Sequence, residues 1–252
     1  MKRIRIVIVN MLLGTLLVNL FWFAAAHILH INVLPNPFTV YARLGDVWQR
    51  GMSIHLFASL WRMTAGIFIA ALIGTITALW MVQSRIIGKL LGAFVYFVYP
   101  IPKLALLPVV MLLAGLGDVA KVVMIVLIIL FQIIVNVRDS LKNIPRESFL
   151  IVTSLGAKQW DVFLHVILPA ILPDLLSTLR VAVGTAISVL FVTETYGTNR
   201  GMGYFIVDAW MRINYIDMYA GIIILSMTGF LLFLSTDLLE AWLCKWRGNI
   251  SD

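Results

Sequence analysis

Ionisable side chains set inside long apolar runs are the residues of this chain that could do chemistry. Arg62, Lys103 and Arg180 are the basic ones. A charge at such a depth is costly unless it is paired, hydrated or able to reach an interface. Arg62 and Arg180 each lie about two turns inside their runs, close enough for the aliphatic stem to carry the head group outward, which predicts an anchoring role. Lys103 differs, because it sits mid-segment in YPIPKLALLP between Pro100, Pro102 and Pro108. Proline removes backbone donors, and irregular backbone at that depth is tolerated only within protein or beside water. Lys103, with Pro100 and Pro102, therefore either lines a water-filled path and attracts an anion, or pairs with a group such as Glu194. Glu194 closes an apolar run and reads as a hydrated interfacial carboxylate or, more sharply, as a gate contact at that end.

Other catalytic constellations are missing from the pattern. His27 and His30 share a helical face, but no acidic or cysteine ligand lies near them in sequence, so interfacial histidines are expected rather than a metal site. His55 and His165 are isolated, and no His-Glu-x-x-His occurs. The Gly88-Lys89 pair has Gln83 where a phosphate-binding loop needs glycine and Leu90 where it needs Ser or Thr. Nucleotide binding by that motif is excluded, and any energy for active transport must come from another subunit or an ion gradient. Cys244 is the single cysteine, which leaves no internal disulfide.

The elements that position these residues follow from composition. The chain has 252 residues, 62% of them hydrophobic and 12% charged, with a mean hydropathy of +1.00. A soluble domain is nearer half apolar and one-quarter charged, so an all-α, polytopic membrane bundle is predicted. Six spans are expected, at about 6–29, 54–81, 90–113, 119–137, 172–195 and 216–242. The first run is longer than a signal-peptide core, which predicts a retained span, although Ala24–Ala26 offers a formal cleavage pattern. The polar interval 32–53 contains a short helix over 39–50. Domains divide as 1–53 (first helix and outer connector), 54–242 (core, with an insert at 138–168) and 243–252 (tail).

The net charge of +7 is an orientation signal rather than a nucleic-acid footprint. With the N-terminus in the cytoplasm, the inner side receives Lys2, Arg3, Arg5, Arg85, Lys89, Arg138, Lys142, Arg146, Lys158, Lys245 and Arg247. The outer side receives only Arg43, Arg50, Lys121, Arg200 and Arg212. Both termini are then cytoplasmic. Gly66, Ala70, Gly74 and Ala78 recur every four residues, the spacing of a close helix-packing seam within the bundle or between subunits.

The insert carries the other pattern. Gly156 sits where a helix should end in the left-handed conformation. Residues 157–166 then read as a second short helix with Trp160, Phe163, Leu164 and Ile167 on one face, while Pro169 and Pro173 punctuate the chain beyond it. An aromatic-faced helix just outside a membrane bundle is suited to a groove on a partner protein.

LGAKQWDVFLHVILPAILP (155–173) resembles the cytoplasmic signature of binding-protein-dependent ABC importer permeases. Gly156 matches the family glycine, and Ile167, Leu168 and Pro169 match its closing I-x-L-P pattern. The Glu-Ala-Ala triplet departs, because Leu150, Ile151 and Val152 stand there and Glu147 lies three residues too early. LPNPFTV (34–40), HLFASLWRMTAG (55–66), YPIPKLALLPVVMLLAGLGDVAK (99–121) and TETYGTNRGMGY (193–204) are similar to the nitrate/sulfonate/taurine/bicarbonate subgroup. The resemblance implies a type I permease fold, a second permease copy (a homodimer or a similar partner), two ABC ATPase subunits and an extracytoplasmic solute-binding protein. It also implies that ATP and Mg belong to the partner ATPase, with no cofactor in this chain, and a bacterial inner-membrane location. Coupling to the ATPase would fall to Leu155, Gly156, Ala157, Trp160, Phe163, Ile167 and Pro169. The cargo would be a small polar, anionic solute, or a related organic acid or vitamin precursor. An ion-driven transporter would be expected to show inverted repeats and midplane ionisable groups, and a membrane enzyme a converging polar set. Neither pattern is visible, and a passive scaffold would need no proline-broken span.

Overall fold

Small residues every four positions let two long helices run close together, and the rest of the bundle is arranged around that pair. A computed structural model describes residues 2–246, with side chains from Leu13 onward. The helices are α1 (Lys2–Leu29), α2 (Pro37–Val47), α3 (Ser53–Gln83), α4 (Arg85–Val98), α5 (Leu107–Ala114) and α6 (Asp118–Lys142). They continue with α7 (Arg146–Ser154), α8 (Gln159–Val162), α9 (Leu168–Glu194), α10 (Met202–Met211) and α11 (Tyr215–Leu243). No strand occurs among the described residues.

Four helical stretches among the described residues are long and apolar enough to cross a membrane: Pro37–Gln83, Asp118–Lys142, Gln159–Glu194 and Tyr215–Leu243. The pair Arg85–Val98 and Lys103–Ala114 meets at 87° and makes a fifth crossing if counted as one broken span. The expected sixth is α1, whose apolar stretch among the described side chains is Leu13–Leu29. It docks through Trp22, which stacks on Tyr219 at 5.2 Å and donates to the Pro35 carbonyl at 3.1 Å.

Gly66, Ala70, Gly74 and Ala78 are all buried on α3, and α6 is its most extensive neighbour. A Cβ added at Gly66 would lie 2.6 Å from Ile125 Cγ2, and one at Gly74 2.8 Å from Ile133 Cγ2. Lipid gives apolar helices little reason to associate, so this backbone approach supplies the dispersion contact that joins them. Met63, Met124, Ile129, Ile171 and Leu190 complete the core across α3, α6 and α9.

The structure departs from the sequence reading around the insert. The expected helix over 157–166 is not separate: α8 runs through a π turn, Phe163–Ile167, directly into α9. Pro169 is the second residue of α9, immediately after the π turn, and having no N–H it offers no donor to the carbonyls of that turn. The wide turn lets the Leu168 N–H reach the Phe163 carbonyl, so the chain passes the proline without stopping. Pro173 lies inside α9, as the expected span from 172 has it.

Candidate functional site

Two places gather the predicted residues, one at each end of the bundle. At the first, α3 presents Ser59 and Arg62 one turn apart on the same buried stripe as Gly66. Arg62 is 3% exposed and Glu194 is 0% exposed. Arg62 Nη1 donates to Glu194 Oε1 at 2.6 Å and to the Arg200 carbonyl at 2.9 Å. Its Nη2 and Nε donate to Asp118 Oδ1 at 2.6 and 2.9 Å. Ser59 Oγ donates to the Glu194 carboxylate, 2.8 Å from Oε2, and accepts from the Met202 N–H at 2.8 Å. The Gly203 N–H reaches Glu194 Oε2 at 2.9 Å.

One guanidinium thus joins α3, the start of α6, the end of α9 and the loop leading to α10. Asp118 and Glu194 both gain from helix N-terminal dipoles, of α6 and α10 respectively. The loop can come this close only through glycine. A Cβ at Gly203 would lie 2.5 Å from the Phe191 carbonyl, and Gly201 has φ +128° with Glu194 Cδ 2.3 Å from its would-be Cβ.

This geometry corrects several expectations. The Arg62 head group stays buried, satisfied by buried Glu194, the Arg200 carbonyl and the exposed Asp118 carboxylate at the start of α6. Glu194 is not a hydrated surface group. Lys121, assigned to the outer charge count, is buried at 0% exposure, and its Nζ donates to the Leu116 and Gly117 carbonyls at 2.8 and 3.2 Å. Arg180 pairs with Asp237 and Glu240 on α11 instead of extending outward. Lys103 is not the partner of Glu194. Its Nζ donates to the carbonyls of Val98, Tyr99 and Ile101 at 3.3, 2.7 and 3.3 Å. It also lies 5.0 Å from the centre of the Phe131 ring. Pro100 and Pro102 offer no N–H to the turn before them, and the ammonium adds donors at the bend, where the Val98 carbonyl also accepts from the Ile101 N–H at 3.1 Å. Ser59, Asp118, Gly201 and Gly203 were missed in sequence. Ser59 lies three residues before Arg62, and the two glycines fall within TETYGTNRGMGY, but nothing local assigned them a partner.

The other end holds the insert. Gly156 has φ +84°, and the N–H groups of Gly156 and Ala157 close α7 onto the Thr153 and Val152 carbonyls. The Lys158 N–H donates to Asp161 at 2.9 Å, starting α8. Trp160 stacks on Phe163 at 5.4 Å and is 67% exposed. Leu150, Ile151 and Leu155 are exposed beside it, whereas Val166 is buried and Ile167 packs on the core. The predicted face is therefore split, anchored at Ile167 and open from Leu155 to Trp160. His27 and His30 lie 5.3 Å apart, and no metal-competent cluster occurs among the described residues. The 243–252 tail lies largely outside the described residues.

Residues 66–247 match the family described as the binding-protein-dependent transport system inner membrane component. The chain belongs to this family. It is similar to the taurine transport system permease protein TauC of Escherichia coli, at 29% identity over 96% of this chain and 91% of the relative. It is also similar to the formylaminopyrimidine transport permease protein ThiX of Halalkalibacterium halodurans, at 30% identity over 85% of this chain and 86% of that one. Among solved structures, an inward-facing form of the MetNI methionine ABC transporter has the same fold, with a TM-score of 0.58 and 20% identity over 71% of this chain and 92% of that chain. The molecule is thus a multi-pass permease subunit of the ABC transporter class and not itself the ATPase.

Proposed function

We propose that this permease forms the membrane path of an ATP-driven importer for a small polar, anionic solute of the sulfonate, taurine, nitrate or bicarbonate kind, or a related organic acid or vitamin precursor. The path is completed by a second permease copy, with a homodimer as the simplest arrangement. Two partner ATPases, which hold ATP and Mg, engage the insert from the cytoplasm, and an extracytoplasmic binding protein delivers the solute at the Glu194 end. Both termini face the cytoplasm. One observation carries the reading: an open aromatic edge follows the turn at Gly156, in a chain similar throughout its length to transport permeases.

In this scheme ATP binding moves α8 as a rigid body, and the π turn passes that motion straight into α9. The far end of α9 is Glu194, so the Arg62 cluster is the gate contact that the motion must strain or release. A transition of this kind requires different contacts in its two states. Lys103 enters as the residue that holds the bend between α4 and α5. The test is uptake by reconstituted vesicles containing the permease, its ATPase and its binding protein. Vanadate-sensitive accumulation is expected, whereas full uptake with no ATPase present would end the proposal.

A further inference from the structure

Most outward surfaces of this bundle are what lipid requires. The exposed positions of α3 include Phe57, Trp61, Phe68, Leu72, Ile76 and Trp80. The open face shared by α6 and α9 breaks that rule. On α6, Gln132 and Asn136 stand one turn apart, with Asn143 just past its end, and Asn136 and Asn143 are exposed. On α9, Ser177, Thr185 and Ser188 fall on one face with Gly184, and Ser177, Gly184 and Ser188 are exposed. The two rows meet in a cleft lined by Gln132, Asn136, Asn143 and Ser177, with the carboxylates Asp139 and Asp174 at its insert end.

Hydrogen bonding makes the placement more telling. Among the described residues, the side chains of Gln132, Asn136, Asn143 and Ser177 make no hydrogen bond to protein. Thr185 and Ser188 each donate to their own helix, to Val181 at 3.3 Å and Gly184 at 3.2 Å, and keep their acceptor lone pairs open. Unpaired amides and hydroxyls in hydrocarbon are expensive, so this face must meet water or a solute. It also carries no free cation. Arg180 is turned to α11, and Arg138 pairs with Asp139 at the cleft's insert end, where Asp174 accepts from Ser140.

We propose that Gln132, Asn136, Ser177, Thr185 and Ser188 form the solute-contacting wall of the permeation path, and that this wall holds its cargo by neutral donors and acceptors rather than by a fixed countercharge. The proposal rests on the permease reading. It adds a substrate chemistry: a small solute rich in hydrogen-bonding atoms, recognised by neutral amide and hydroxyl groups. A wall of this type serves an oxyanion through its N–H and O–H donors and an aminopyrimidine through both sets.

Single cysteines at Asn136, Ser177 and Ser188, with Leu72→Cys as the lipid-facing control, test it in a Cys244→Ser parent assembled with its ATPase in vesicles. Should Cys244→Ser lower expression, the parent retaining buried Cys244 supplies the background rate. The probes are the anionic sulfonatoethyl and cationic trimethylammonioethyl methanethiosulfonates. A thiolate held in hydrocarbon is strongly disfavoured, so the wall positions should react at least ~10-fold faster than Leu72→Cys. At Ser188→Cys the two probes, each normalised to a free thiol, should react within about 3-fold of one another. A fixed cation nearby would favour the anionic probe by roughly 100-fold. Wall cysteines no faster than the control, whether covered by lipid or by a second copy, overturn the assignment, and strong preference for either the anionic or the cationic probe overturns the neutral wall. ATP-dependent uptake by the parent reports separately on the permease reading, because labelling rates need no transport.

Discussion

Arg62 shows how one side chain can make distant sequence positions into a single contact. It touches Glu194, 132 positions away, and Asp118, 56 away. Substituting Arg62→Ala leaves Glu194 as an uncompensated carboxylate with no exposure. Removing one member of such a pair costs about 3–5 kcal/mol. The variant should therefore lose thermal stability in detergent by an amount of that order, and Arg62→Ala with Glu194→Gln should recover part of it as a coupled pair. Equal stability of Arg62→Ala and the parent would show that the cluster contributes nothing. The importance of these residues was legible, since ionisable groups in apolar runs require a reason. Their partners were not. An outward-reaching arginine was judged by depth along its own helix, and depth says nothing about what neighbouring helices supply. Lys121 is similar: its side in the charge count says nothing of its buried carbonyl partners, which arise from the turn before α6.

Element-scale features were read more faithfully, because spacing within a helix is a local property. The seam on α3 was visible as small residues at every fourth position. Its partner was not visible, and Ile125 and Ile133 of α6 look like any membrane isoleucines in sequence. Gly74→Ala should cost about 1–3 kcal/mol by overpacking against Ile133. Ile133→Ala, which clears the obstructing Cγ2, should relieve part of that loss in the same melting assay. A Gly74→Ala protein as stable as its parent would mean that the two helices give way freely. The proline-broken span was equally legible and bends at 87°. The end of the insert was misread because proline was treated as a stop, whereas a π turn followed by proline in the first turn of α9 carries the helix through.

For the whole molecule, the decisive matter is how force from a partner reaches the far end of the bundle. The path from Trp160 through Phe163–Ile167 to Glu194 is helical throughout. Trp160→Glu should insert and fold normally, since the residue is exposed, but uptake should fall by about 10-fold or more, as for an aromatic anchor lost from an interface core. ATP hydrolysis by the partner should continue, detached from transport. Uptake at the parent rate would remove Trp160 from the coupling contact.

Sequence alone determined that this chain is a helical membrane bundle with a glycine-turned insert and a broken span, because lipid permits few backbone solutions and each writes a local pattern of length, spacing or proline. Only the tertiary structure decided which charges are buried together, that Lys103 caps its own bend, and that the amides and hydroxyls of α6 and α9 share one open face. Those facts depend on which helices become neighbours, and in lipid the side chains that select neighbours are too alike to announce their partners.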